Sequence, residues 1–185
     1  MHPDLARVAS EFDEAQARMH RLAESVDDAQ WVRRPAAGRW SIDECVAHLT
    51  LTNERYLPIF AEVLDAAPQL DDASRPMRPD MTGRLLAWLM EPPVRFRLPT
   101  APTFEPPSSA GRATTVALFD AMQARLQDQI REMDGFDIST VRLASPFNAK
   151  VRYSAFSALR ILAAHERRHL WQAEQVRTQL LRGGS

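Results

Sequence analysis

Apolar residues return at steps of three and four along four long stretches of the chain. From Pro3 to about Asp27 they are Leu5, Val8, Phe12, Ala15, Met19 and Leu22, the spacing of one helix face. A second stretch opens with Ser41-Ile42-Asp43-Glu44, where Ser41 and Glu44 have the spacing of a reciprocal capping box. It runs through Ile42, Cys45, Val46, Leu49 and Tyr56 to Pro58, which is predicted to end or kink it. A short helix is predicted over Thr82 to Met90, and the six prolines of EPPVRFRLPTAPTFEPPSS that follow exclude a regular helix there. The third long stretch, Arg112 to Asp134, carries Val116, Phe119, Met122, Leu126, Ile130 and Met133, and Gly135 closes it. Residues 136 to 153 are expected to form an extended connection without paired strands. The fourth helix then runs from about Ser154 to Leu181, uninterrupted by glycine or proline.

Four long amphipathic segments predict an all-α four-helix bundle, one domain over residues 1–185 with a variable proline-rich middle connection. The composition changes this picture little. With 45% hydrophobic and 25% charged residues and a formal net charge of -1, nothing favours nucleic acid or a membrane as partner. Lys150 and Cys45 are the only lysine and cysteine. A disulfide framework and a cysteine-rich zinc site are thereby excluded, and a reducing compartment fits. The charged N-terminal stretch and the lack of a run of about 18 apolar residues lead to the expectation of a cytoplasmic protein.

The histidines alter the reading more. On the last helix His165 and His169 are four residues apart, at about 40° and 80° from Ile161, and so lie inside the apolar stripe. Two neutral imidazoles there could share a cation, or each could be satisfied by backbone or water. His48 sits at the edge of the core face of the second helix and could turn either to a neighbouring helix or to solvent. His2 is expected in a frayed terminus, and His20 on the solvent side of the first helix.

GRWSIDECVAHL (Gly38 to Leu49) and AAHERRHLWQAEQVR (Ala163 to Arg177) together resemble the DinB-like superfamily, over nearly the whole chain and in the same order. That superfamily includes YfiT-type metal hydrolases, bacillithiol S-transferases and mycothiol-dependent maleylpyruvate isomerases. The resemblance implies a divalent transition metal, zinc or nickel, held by His48, His165 and His169 with a coordination position left open. It also implies a small-molecule substrate, a homodimer and, in some members, a low-molecular-weight thiol. The stretch EPPVRFRLP matches no subfamily signature, so the reaction class does not follow from the ligands.

Three residues are candidate assistants. Glu44 is expected first as the capping partner of Ser41, and four residues before His48 it could also orient that ring. Gln172 lies on the ligand face of the last helix, and Arg55 could pair with a substrate carboxylate or phosphate. Cys45 is expected to be a small buried hydrophobe, Trp40 a staple at the start of the second helix, and Trp88 and Trp171 packing residues. Three functional readings compete: a metal-dependent thiol S-transferase or hydrolase; a non-catalytic bundle whose histidine site is structural or empty and which binds a ligand or partner; and a homodimeric assembly protein.

Overall fold

The four periodic stretches are helices in the computed structural model, which describes residues 1–93, 104–106 and 109–182. In chain order the elements are α1 (Pro3–Glu24), α2 (Asp28–Val32), α3 (Ile42–Ala66), α4 (Met81–Met90), α5 (Arg112–Glu132), β1 (Arg142–Ser145), β2 (Asn148–Ser154) and α6 (Ala155–Arg182). Of the proline-rich stretch, residues 94–103 and 107–108 lie outside the described residues.

The long helices α1, α3, α5 and α6 form the bundle, with α3 packed on α5 and α6, and α1 on the same two helices. The helix α4 lies along α6. Among the described residues no helix is long and apolar enough to cross a membrane.

Four details depart from expectation. The helix α3 passes through Pro58 and ends at Ala66. Proline removes only the bond to the Glu54 carbonyl, both residues are exposed, and burial of Leu57, Phe60 and Val63 beyond it carries the helix on. The short helix α2 was not expected, although Asp27 and Gln30 form a complete capping box. Residues 142–154 pair as an antiparallel hairpin rather than a plain connection, with Leu143 opposite Tyr153, both facing the core. Finally, His2 is not frayed. Its ring caps α1 by accepting from the Asp4 amide at 3.1 Å, and its own amide donates to Asp134 at 2.8 Å.

The core is divided. One apolar cluster holds Leu5 to Phe12 of α1, Tyr56 to Val63 of α3 and Phe156 to Ala163 of α6. The other holds Ala15 to Ala23, Ile42 to Leu49 and Leu170 to Leu180. Between them lies a layer of buried polar side chains: Thr52, Asn53, Gln123, His165 and Glu166. Two amides, from Asn53 and Gln123, each donate to one Glu166 oxygen at 2.6 Å. Burial pushes the Glu166 carboxyl up to about 7, against these two bonds.

The contact between α4 and α6 is set by Gly83, where a Cβ would overlap Ser157 Cβ and Oγ. Alanine favours a helix by about 1 kcal/mol over glycine, but forcing two rigid helices apart costs about 1–3 kcal/mol. Gly83→Ala is therefore expected to lower the urea midpoint. An unchanged or raised midpoint would show that α4 is free to shift.

Candidate metal centre

Helix α3 places His48 and helix α6 places His165 and His169 at the polar layer. Their candidate ligand nitrogens all lie within 4.8 Å of one another. The Nε2 atoms of His48 and His165 are 3.3 Å apart, and the three ring centroids are separated by 4.5 to 5.1 Å. Each residue is no more than 8% exposed. His48 has turned inward, the first of the two orientations open to it.

The Nδ1 of His48 is 2.7 Å from the Phe104 carbonyl. A carbonyl can only accept, so Nδ1 carries the proton and Nε2 presents its lone pair to the other two rings. Burial holds His48 below the ordinary histidine value, against the bond to Phe104. His165 and His169 are pushed well below it, by burial first and then by neighbouring positive charge, including that of Arg168. At neutral pH the cluster is uncharged and rich in lone pairs.

This donor set fits a divalent transition ion. Two nitrogens each about 2.0–2.1 Å from a tetrahedral zinc stand about 3.3 Å apart, the separation seen here between His48 and His165. Among the described residues no acidic or cysteine side chain joins the group. Three neutral ligands would leave the ion's charge uncompensated and a coordination position free.

A cavity of about 920 Å³ opens onto the histidines. Trp40 stands 4.9 Å from the His48 ring and 5.8 Å from the His169 ring. Phe147, at the tip of the β1–β2 hairpin, packs 4.2 Å from Phe104. Trp171, Leu86 and Met90 also line the cavity, so Trp40 and Trp171 face the site rather than serving as packing residues alone.

The assistants are placed differently. Gln172 lines the cavity beside His169, where its side chain favours protonation of that ring against the larger effect of burial. Glu44 does not reach His48. It completes the capping box at the Ser41 amide, 2.8 Å away, and pairs with Arg34. Burial raises its carboxyl, but the Arg34 pair and the capping bonds outweigh this and leave it lowered. Arg55 is exposed and outside the cavity, because its direction on α3 falls on the outer side of the helix. The arginines that do line the cavity are Arg39 and Arg168. Arg168 is next to His169 in the sequence, but its orientation depends on how α4 packs against α6. Cys45 is fully buried and its thiol is pushed far up by burial, which makes it a core residue. His20 pairs with Asp120 at 2.9 Å on the α1–α5 side.

The comparisons agree with this architecture. The model of the DinB superfamily matches residues 11–173, and the chain belongs to that superfamily. Among solved structures it is similar to YfiT from Bacillus subtilis, described as a probable metal-dependent hydrolase with an unusual four-helix bundle topology. The TM-score is 0.63 at 15% identity, covering 95% of this chain and 87% of that one. No curated protein matches.

Proposed function

We propose that this protein is a divalent-metal-dependent enzyme that hydrolyses small molecules, with His48, His165 and His169 as the metal ligands. The observation that carries this reading is the convergence of three buried, neutral imidazoles on one point at the floor of an open cavity. A zinc or nickel ion held there would supply Lewis acidity to activate a nucleophile. The chain's own residues supply the rest. The Phe104 carbonyl fixes the His48 tautomer, Gln172 adds a polar side chain to the cavity wall, and the Trp40 ring covers two of the imidazoles.

Water is the preferred nucleophile because the only thiol of the chain, Cys45, is buried in the core. Thiol transfer would require a separate low-molecular-weight thiol. The structural likeness to a probable metal-dependent hydrolase supports the same choice.

Elemental analysis of protein purified without chelator should find about one transition-metal ion per chain. The double variant His165→Ala/His169→Ala should hold none, and ester or amide hydrolysis by the wild type should disappear on chelation and return with metal. No metal in the wild type, and no uptake on adding zinc or nickel, would overturn the proposal. Metal-dependent turnover found only with an added thiol would replace hydrolysis by thiol transfer.

A further inference from the structure

Ser145 pairs with Asn148 across the hairpin, so Pro146 and Phe147 are the two residues of the turn. Small polar residues and glycine are the rule at such a position, because they tolerate both the backbone and the water. Phe147 breaks that rule. It stays 44% exposed, which forgoes the burial that a phenyl ring obtains in a core. Departures from local consistency of this kind concentrate at functional sites.

The ring is nevertheless held in place. It packs 4.2 Å from Phe104 and 6.4 Å from Tyr56. The Tyr56 hydroxyl is 2.5 Å from that of Tyr153 on β2, which ties the hairpin to α3. Phe147 also lines the cavity of the three histidines and stands 6.4 Å from the His165 ring. Trp40 neighbours the other two, 4.9 Å from His48 and 5.8 Å from His169. Each candidate metal ligand therefore has an aromatic wall residue beside it, and the ring at the mouth keeps much of its surface uncovered.

We propose that Phe147 is the specificity-determining residue of this cavity and that it selects small molecules with an aromatic ring next to the group that reacts at the histidines. This deepens the assignment of the cavity as a reaction site and rests on it. A ring and an aliphatic body of equal size cover the same area of Phe147. Only the ring adds edge and face contacts, which act at centroid separations of about 4.5–7 Å. Phe147 and Trp40 already meet the imidazoles within that range. A ligand ring that touches Phe147 while its reacting group reaches His165 is joined to that group directly or through about one or two atoms.

The test uses metal-free protein, so that direct coordination does not contribute. Tryptophan fluorescence, reporting from Trp40 and Trp171 in the cavity wall, is titrated with benzamide and cyclohexanecarboxamide, two neutral amides of similar size. Cyclohexyl is the more apolar body, so a preference for phenyl reports ring contact and not area. The wild type should bind benzamide about fivefold more tightly. Phe147→Leu keeps an apolar side chain and should abolish the preference, whereas Phe147→Tyr keeps the ring and should retain it. A purely structural role would weaken both amides alike and leave their ratio unchanged. No preference in the wild type, or an undiminished one in Phe147→Leu, would overturn the proposal. If Phe147→Leu fails to fold, loss of the preference in folded Phe147→Tyr overturns it equally. Metal content, measured on the same wild-type samples before chelation, separates the two readings. Absence of metal with the ring preference intact would remove only the enzyme, whereas metal without the preference would remove only the role of Phe147.

Discussion

Acidifying the metal-free protein below pH 6.5 is expected to destabilise it steeply. In the unfolded chain each imidazole takes up a proton near pH 6.5. In the folded chain burial keeps His48 lower, and burial with neighbouring charges keeps His165 and His169 well below that value. The unfolded state therefore binds more protons as the pH falls, and each such site removes about 1.4 kcal/mol of stability per pH unit. Glu166 acts in the opposite sense. Its carboxyl is raised to about 7 by burial, so its contribution is fully present below the ordinary carboxyl value and is lost as the pH rises through about 7. Between the ordinary carboxyl value and about pH 6.5 it offsets roughly one of the histidine protons, so the net loss of stability on acidification comes from the histidines in excess of that one carboxyl.

Urea unfolding of chelator-treated protein between pH 7.5 and 5 measures this slope. Saturating zinc should protect the fold to lower pH, because the metal competes with protons for the same nitrogens. The His165→Ala/His169→Ala variant retains one histidine against Glu166 and should show a nearly flat profile over the same range. A wild-type slope in that variant would mean that the acid sensitivity arises elsewhere.

The second large effect is expected at Asp43, buried in the first turn of α3. One carboxylate oxygen accepts from Trp31 Nε1 at 2.7 Å and Thr115 Oγ1 at 2.6 Å. The other accepts from Ser109 Oγ at 2.9 Å and the Ala110 amide at 3.2 Å. Asp43 thus ties α2, α3 and the start of α5 together, and α5 begins at Gly111 without a side-chain cap.

Asp43→Ala leaves four donors without their acceptor and should remove about 3–5 kcal/mol, a large share of the roughly 5–15 kcal/mol that holds a typical domain together. Asp43→Asn keeps one acceptor oxygen for Trp31 and Thr115 but turns an N–H₂ toward two donors, and should lose about half as much. Chemical denaturation of the two variants, followed by Trp31 fluorescence, measures both losses. Equal and small effects would show that the cluster is replaceable.

Much of the bundle was legible because its signals are local. The steps of three and four that end at Leu22, begin again at Ile42 and run from Val116 to Met133 describe buried helix faces directly. The Ser41–Glu44 box marked the start of α3, and the same reasoning applied to Asp27 and Gln30 would have found α2. The hairpin was harder to see. Its strands are short, and Leu143 and Tyr153 become a pair only once the turn at Pro146-Phe147 brings them together. Of the two outcomes expected at Pro58, an end or a kink, the end does not occur, because helix propensity is a weak local term and burial of Phe60 and Val63 outweighs one lost bond.

The candidate site divides in the same way. His165 and His169 could be placed on one face from sequence alone, since residues four apart on a helix share a direction whatever surrounds them. His48 could not, because it lay at the edge of its face, and only the approach of α6 to α3 turned it inward. Arg55 and Arg168 are chemically the same in the sequence, and packing alone put the first on the outer side of α3 and the second against α4 and the cavity. The sequence by itself determined the helices, their caps and the paired histidines, because these depend on residues within a turn or two of one another. The third histidine, the buried arginine and the cavity between them were decided by the tertiary structure, because they depend on the distance and rotation between helices whose contacting residues lie 79 to 117 positions apart in the chain.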